Sequence, residues 1–161
     1  MRIGLGFDIH RFEKGRKLVL GGVEIPYEYG LEGHSDADVI LHAVMDACLG
    51  ALALGDIGGH FPNTDPAYRG ADSRALTTHV VQLLHREGWR LGNLDVMVMA
   101  EAPKIGPHAA QMREQIADLF GANVSQVSLK ATTMENLGPI GNHEGIAAQA
   151  VVLLESLSEG K

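Results

Sequence analysis

The sequence predicts an α/β protein, a two-layer α+β sandwich in which helices cover one face of a mixed four-stranded sheet. Three observations carry this. Stretches with an apolar period of two alternate along the chain with stretches of helical period. No linker, repeat or low-complexity segment interrupts them. The 161 residues are enough for one domain, residues 1–161, with a sizeable core.

The elements follow in order. Residues 3–12 and 17–25 read as a hairpin around Glu13-Lys14-Gly15-Arg16, with Gly21-Gly22 marking a bulge or bend. Residues 36–53 read as the first helix, with Ile40, Val44, Ala47 and Ala51 as its apolar stripe and Asp36 as its N-cap. Ser73 caps a second helix that runs to about Glu87 and stops at Gly88. Residues 94–100 form a strand, 107–120 a third helix closed by Gly121, and 127–132 another strand. Residues 146–157 are apolar and strand-like, with a tail that also suits a helix. Helices on one face leave the other face of the sheet uncovered. A second copy of the chain is the simplest cover.

Bulk properties exclude several function classes. The net charge is −7 and no basic stripe is visible, which argues against nucleic acid as a partner. Residues 47–54 are the densest apolar run and are too short to cross a membrane. Met1-Arg2-Ile3-Gly4 leads straight into a strand, without the pattern of a targeting segment, so a soluble cytoplasmic protein is expected. Cys48 is the only cysteine and sits in an apolar helix pattern, which makes it a core residue. An acidic chain that binds a small anion needs metal ions to supply the positive charge.

A metal site is visible at the start of the chain. Residues two apart on a strand share a face, so Asp8 and His10 present a carboxylate and an imidazole side by side. His42, on the facing helix, completes a three-ligand set with a fourth position open. Asp38, His42 and Asp46 are four apart, which places a carboxylate on either side of the imidazole to take its second N–H. The same spacings also describe a strand without metal and a solvated Asp–His pair. Polar, glycine-rich segments lie at residues 55–59, 70–73, 100–107 and 130–138, where backbone amides at strand ends and helix starts suit phosphate oxygens.

Taken together, Gly6-Phe7-Asp8-Ile9-His10, Gly33-His34-Ser35-Asp36-Ala37-Asp38, Gly55-Asp56-Ile57-Gly58, Gly70-Ala71-Asp72-Ser73 and Lys130-Ala131-Thr132-Thr133 closely resemble the 2-C-methyl-D-erythritol 2,4-cyclodiphosphate synthase family of the non-mevalonate isoprenoid pathway. The resemblance runs over essentially the whole chain, in order and at matching spacing. It implies a homotrimer with sheets facing the threefold axis and active sites shared between neighbours. Zn²⁺ would be held by Asp8, His10 and His42, and Mg²⁺ or Mn²⁺ by Glu135 and the substrate phosphates. Substrate contacts carried over by the resemblance include His34 and Ser35 at the phosphates, and Asp56 and Gly58 at hydroxyls, together with Asp8, His10, Ile57, Phe61, Asn63 and Asp65. Ala100, Ala102, Pro103, Lys104, Ile105, Gly106, Ala131, Thr132 and Thr133 match the cytidine diphosphate pocket of the adjacent subunit, joined by Glu135. His34 and Thr133 match the catalytic positions that stabilise the transition state.

Family resemblance also implies the reaction. The 2-phosphate of 4-diphosphocytidyl-2-C-methyl-D-erythritol 2-phosphate attacks its own β-phosphorus and expels CMP. Such a nucleophile is already anionic, so no serine or cysteine nucleophile is required. Two readings from other classes stand beside this one: a metal-dependent phosphohydrolase that activates water with the same three ligands, and a non-catalytic trimeric nucleotide-binding module. The chain departs from the family pattern at Asn63, where relatives often carry aspartate, and at Met134 and Asn136. Pro139 and Asn142, among the matched substrate-contact positions, replace an aromatic and an arginine found near the trimer axis in several relatives. His60, His79, His85, His108 and His143 are expected at the surface or in caps.

Overall fold

The structure, a computed structural model, describes residues 1–157. Its longest strands lie side by side. Strand β1 (Arg2–Lys14) pairs antiparallel with β7 (Gly145–Ser156), in register from Arg2 opposite Leu154 to Arg11 opposite Gly145. On its other side β7 pairs antiparallel with β5 (Trp89–Met99), which in turn pairs parallel with β6 (Val127–Thr132). Strand β4 (Tyr29–Leu31) adds an edge against the end of β1. The sheet therefore has five strands, in the order β4-β1-β7-β5-β6, one more than the sequence predicts. The extra strand has only three residues, too few to show a period.

The predicted first hairpin is also different. Strands β2 (Leu18–Leu20) and β3 (Val23–Ile25) pair with each other and not with β1. Gly21 and Gly22, read from sequence as a bulge or bend, are the hairpin turn itself. Their φ values are +58° and +77°, and a two-residue turn of type I′ needs both central residues in that left-handed region.

Helix α1 (Val39–Ala51) begins three residues later than expected. Ala37 has φ +56°, which no right-handed helix contains, so Asp38 and not Asp36 is the N-cap. Two residues of β1 determine how closely α1 sits. A Cβ on Gly4 would lie 1.8 Å from the Ala47 carbonyl oxygen, and one on Gly6 would lie 1.9 Å from that of Ala43. Helix backbone thus rests directly on strand backbone.

Beyond α1 come α2 (Ile57–His60), α3 (Ser73–Arg86), α4 (Ala109–Phe120) and α5 (Gly138–Gly141). Asp72, not Ser73, caps α3; its carboxylate accepts from the Arg74 amide. Gly121 closes α4 in the left-handed conformation as predicted. Strand β7 stays extended through Ser156, so the helical alternative for its tail fails up to that residue. Cys48 is fully buried in α1, and burial pushes its thiol up to about 12.

The three longer helices pack on one face of the sheet. On β1 the residues facing α1 include Gly4 and Gly6, whereas Ile3, Leu5, Phe7 and Ile9 are 50–73% exposed on the opposite face. Val151 of β7, opposite Leu5, extends this bare apolar face. No helix among the described residues is long and apolar enough to cross a membrane.

Candidate active site

The pleat of β1 and the seat of α1 bring three predicted ligands together. Asp8 Oδ2 lies 2.9 Å from His10 Nε2 and 3.0 Å from His42 Nδ1, and the two ring nitrogens are 3.2 Å apart. His42 is buried, while Asp8 and His10 are half-buried and open to a cavity of about 240 Å³. Burial would raise the Asp8 carboxyl, but hydrogen bonds to His10 and His42 outweigh it and hold the group well below the usual carboxylate range. Burial would lower His10; Asp8 reverses this and raises it. Two imidazole nitrogens and a carboxylate oxygen within reach of one point fit a divalent cation.

Of the residues matched to substrate contacts, His34, Ser35, Ile57, Gly58, Phe61 and Asn63 line the same cavity. The His34 ring lies at the cavity with its Nε2 buried and without a hydrogen-bond partner, the one such side-chain atom among the described residues. A buried polar atom of this kind is a donor or acceptor held for something else. Asp56 caps α2, accepting from the Gly59 amide at 3.0 Å, and Asp65 caps the turn at Pro66–Tyr68 by accepting from the Ala67 amide. Neither lines the cavity in this chain.

The predicted carboxylate partners of His42 are wrong. Asp38 is consumed at the start of α1, accepting from the amides of Ile40 and Leu41 and from Gly21 and Gly22. Asp46 accepts from the Ile57 amide at 2.8 Å and so anchors the loop that carries Asp56 and Gly58; burial raises its carboxyl. His42 Nε2 instead lies 3.1 Å from Ser73 Oγ and 3.2 Å from Ser35 Oγ. Arg16 was missed as well. Its guanidinium donates to the carbonyls of Gly33 (2.7 Å) and Ser35 (2.5 Å) and fixes the loop that presents His34. Gly33, inside a matched motif but not named as a site residue, also lines the cavity, as do Tyr68 and Leu76. No short-range pattern marks Arg16, Tyr68 or Leu76.

The residues matched to the nucleotide pocket form a second group, at the C-terminal ends of the parallel strands β5 and β6. None of Ala100, Ala102, Pro103, Lys104, Ile105, Gly106, Ala131, Thr132, Thr133 and Glu135 lines the His34 cavity of the same chain. The two catalytic candidates, His34 and Thr133, are therefore not brought into one pocket. The Thr133 hydroxyl lies 3.1 Å from Glu135 Oε1, and both side chains are exposed. Glu135 and Asn136 have φ of +52° and +61°, consecutive left-handed residues of a kind that persists only when the surroundings hold it. Glu101 supplies that hold by accepting from the Met134 amide at 2.7 Å. Pro139 and Asn142, in and just after α5, are exposed and line no part of the His34 cavity. His60, with no task read from sequence, lies 2.9 Å from the Leu54 carbonyl.

Comparison with known proteins agrees with this geometry. The YgbB family profile matches residues 1–155. A protein of Geobacter sulfurreducens named 2-C-methyl-D-erythritol 2,4-cyclodiphosphate synthase is 62% identical over 155 residues, covering 96% of this chain and 99% of its own. A namesake from Nostoc is 57% identical over 159 residues, at 99% and 96%. Among solved structures, a 2C-methyl-D-erythritol-2,4-cyclodiphosphate synthase in its CDP-bound form superposes with a TM-score of 0.88 at 38% identity, covering 96% of this chain and 100% of that one. The bifunctional IspDF from Campylobacter jejuni gives 0.93 at 40% identity, with 96% of this chain on 42% of the larger one. With a match that spans almost its whole length, this chain belongs to the YgbB family, the family of 2-C-methyl-D-erythritol 2,4-cyclodiphosphate synthases.

Proposed function

We infer that this chain converts 4-diphosphocytidyl-2-C-methyl-D-erythritol 2-phosphate to 2-C-methyl-D-erythritol 2,4-cyclodiphosphate with release of CMP. The observation that carries this is the convergence of Asp8, His10 and His42 at 2.9–3.2 Å in the cavity that also holds the unpartnered His34 ring. A 2-phosphate oxygen forms a bond to the β-phosphorus, the bond from that phosphorus to the α,β-bridging oxygen breaks, and CMP leaves with the electron pair. Nucleophile and electrophile belong to one molecule, so correct alignment alone supplies about 7–11 kcal/mol of the barrier.

A divalent cation, Zn²⁺ by its carboxylate and imidazole donors, would be held by Asp8, His10 and His42 and supply positive charge beside the reacting phosphate. Glu135 would hold a second, Mg²⁺ or Mn²⁺. The chain's own part is positioning. His34 and Ser35 offer side-chain donors to phosphate oxygens, with their loop fixed by Arg16. Gly58, which lines the cavity, and the adjoining capped loop at Asp56 would meet the polyol hydroxyls. Phe61, stacked edge-on to Tyr68 and His79, closes one wall and keeps water from competing with the internal nucleophile.

Two features support a homotrimer with shared sites. The bare sheet face bearing Ile3, Leu5, Phe7 and Ile9 needs an apolar cover. The group at Lys104 and Thr132–Glu135 needs a partner surface carrying the His34 cavity. Phosphorus NMR of the product with zinc and magnesium present tests the reaction: the cyclic diphosphate and CMP are expected, and CMP with an open-chain product bearing two separate phosphates would instead identify a phosphohydrolase. Mixing inactive His42→Ala with inactive Glu135→Ala chains tests the shared site, with partial recovery of activity expected after subunit exchange. Exchanged mixtures that stay dead while wild-type chains survive the same treatment would exclude it.

A further inference from the structure

His42 has two ring nitrogens, and only one of them can serve a metal. We propose that Asp36 and Ser73 form a relay that fixes the proton of His42 on Nε2 and so keeps Nδ1 free for the cation beside Asp8 and His10. The proposal rests on reading that cluster as a metal site.

Hydrogen bookkeeping carries it. Ser73 is fully buried at the first turn of α3, and its hydroxyl donates its single proton to Asp36 Oδ1 at 2.5 Å. The Ser73 amide donates to Asp36 Oδ2 at 3.0 Å, so both carboxylate oxygens accept from this residue, Oδ1 also taking the Asp38 amide at 3.2 Å. With its proton spent, Ser73 Oγ can only accept. The nitrogen 3.1 Å away, His42 Nε2, must therefore be the donor. Ser35 Oγ, 3.2 Å from the same nitrogen, already accepts from the Ala37 amide at 3.1 Å. Since Nε2 bears hydrogen, the Ser35 hydroxyl has no acceptor there, and its proton is left for the cavity that Ser35 lines. Ligating histidines characteristically give their second N–H to such an outer partner, which orients the ring and raises its basicity. In this chain the partner comes from another helix, thirty-one residues away. Ser73 and Asp36 are thus positioning residues, and neither touches the cation.

The test uses zinc alone, without substrate. Competition with a chromophoric chelator gives the zinc affinity of wild type, Ser73→Ala and Asp36→Ala. Long-range ¹H–¹⁵N spectra of zinc-loaded, ¹⁵N-histidine-labelled protein report the His42 ring, with His42→Gln identifying its signals. Wild type is expected to show a hydrogen on Nε2 that exchanges slowly with solvent. Ser73→Ala should bind zinc about 10- to 100-fold more weakly and lose that protected signal, with the circular dichroism of the metal-free protein unchanged. Asp36→Ala keeps the Ser73 oxygen but frees its proton to face Nε2, so it should weaken zinc in the same direction. If Ser73→Ala does not fold, Asp36→Ala carries the comparison by itself. Unchanged zinc affinity with an unchanged Nε2–H signal would overturn the relay, as would a defect confined to Ser73→Ala, which would reduce Ser73 to packing. Wild-type protein that binds no divalent metal would overturn the metal reading itself.

Discussion

Replacing Asp38 with alanine tests how the start of α1 is held. Four backbone amides converge on this one fully buried carboxylate: Gly21 at 2.9 Å, Gly22 at 2.6 Å, and Ile40 and Leu41 at 3.1 Å each. A buried donor stripped of its acceptor costs about 1–3 kcal/mol, so four at about 1.5 kcal/mol each cost roughly 6 kcal/mol. Against this stands the charge itself. Burial first, and then the charge of Asp36, push the Asp38 carboxyl from its ordinary 3.8 up to about 6, against the pull of the amides. At 1.36 kcal/mol per unit, keeping the group ionised above that pH costs about 3 kcal/mol, which alanine would recover. The orphaned amides win, and Asp38→Ala should lose about 3 kcal/mol at pH 8. Direction with pH follows from proton counting. Below about pH 6 the native chain takes up a proton that the unfolded chain does not bind until 3.8, so wild type gains stability as pH falls through this window. Alanine gains nothing, and its deficit should widen to roughly 4 kcal/mol at pH 5. Urea unfolding of both proteins with chelator present, at one protomer concentration, measures the difference. A deficit that narrows on going from pH 8 to pH 5 would refute the reasoning, because it would mean that the amides outweigh burial and keep Asp38 ionised at low pH.

Gly6→Ala should cost at least about 3 kcal/mol or prevent folding, since its Cβ would sit 1.9 Å from the Ala43 carbonyl oxygen and only a shift of strand or helix backbone could relieve the clash; thermal unfolding reads this directly. Glu101→Ala should release the Met134–Asn136 segment and slow turnover by up to about 100-fold with zinc binding intact, seen as a fall in kcat at wild-type metal content. Asn142 is exposed and uncharged, and a phosphate-binding arginine fork is missing there. Calorimetric titration with geranyl diphosphate at pH 8, with CMP saturating the active sites, should therefore show no tight axial binding.

How much of the site could be read from sequence depends on how far each contact reaches along the chain. Asp8 and His10 were legible because a strand fixes residues two apart on one face whatever surrounds it. His42 was legible as their third partner, but its own partner was not. Helical spacing offered Asp38 and Asp46, whereas the left-handed Ala37 delays the helix and turns Asp38 into its cap. Ser73 arrives from a different helix and leaves no period in the sequence. The group at the ends of β5 and β6 is assigned to a nucleotide only through family resemblance, since isolated loops at strand ends carry no spacing rule. The bare sheet face was the reverse case: a missing layer on one side of an apolar sheet follows from the element count.

One physical step joins the fold to the site. Along β1 the residues facing the helices are Gly4, Gly6, Asp8 and His10, in that order. Gly4 lies beneath the Ala47 carbonyl and Gly6 beneath that of Ala43, so two residues of strand advance alongside four residues of helix. Those steps are nearly equal, about 6.6 Å of strand against about 6 Å of helix, so the register holds from one pair to the next. The next strand residue in the series is Asp8, and the next turn of the helix carries His42. Because the glycines let the two backbones touch, this turn stays close enough for Asp8 Oδ2 and His42 Nδ1 to meet at 3.0 Å. A side chain at Gly4 or Gly6 would lift α1 and widen that gap. The glycines thus shape the candidate metal site without lining it, and any Gly6→Ala protein that does fold should bind zinc more weakly than wild type.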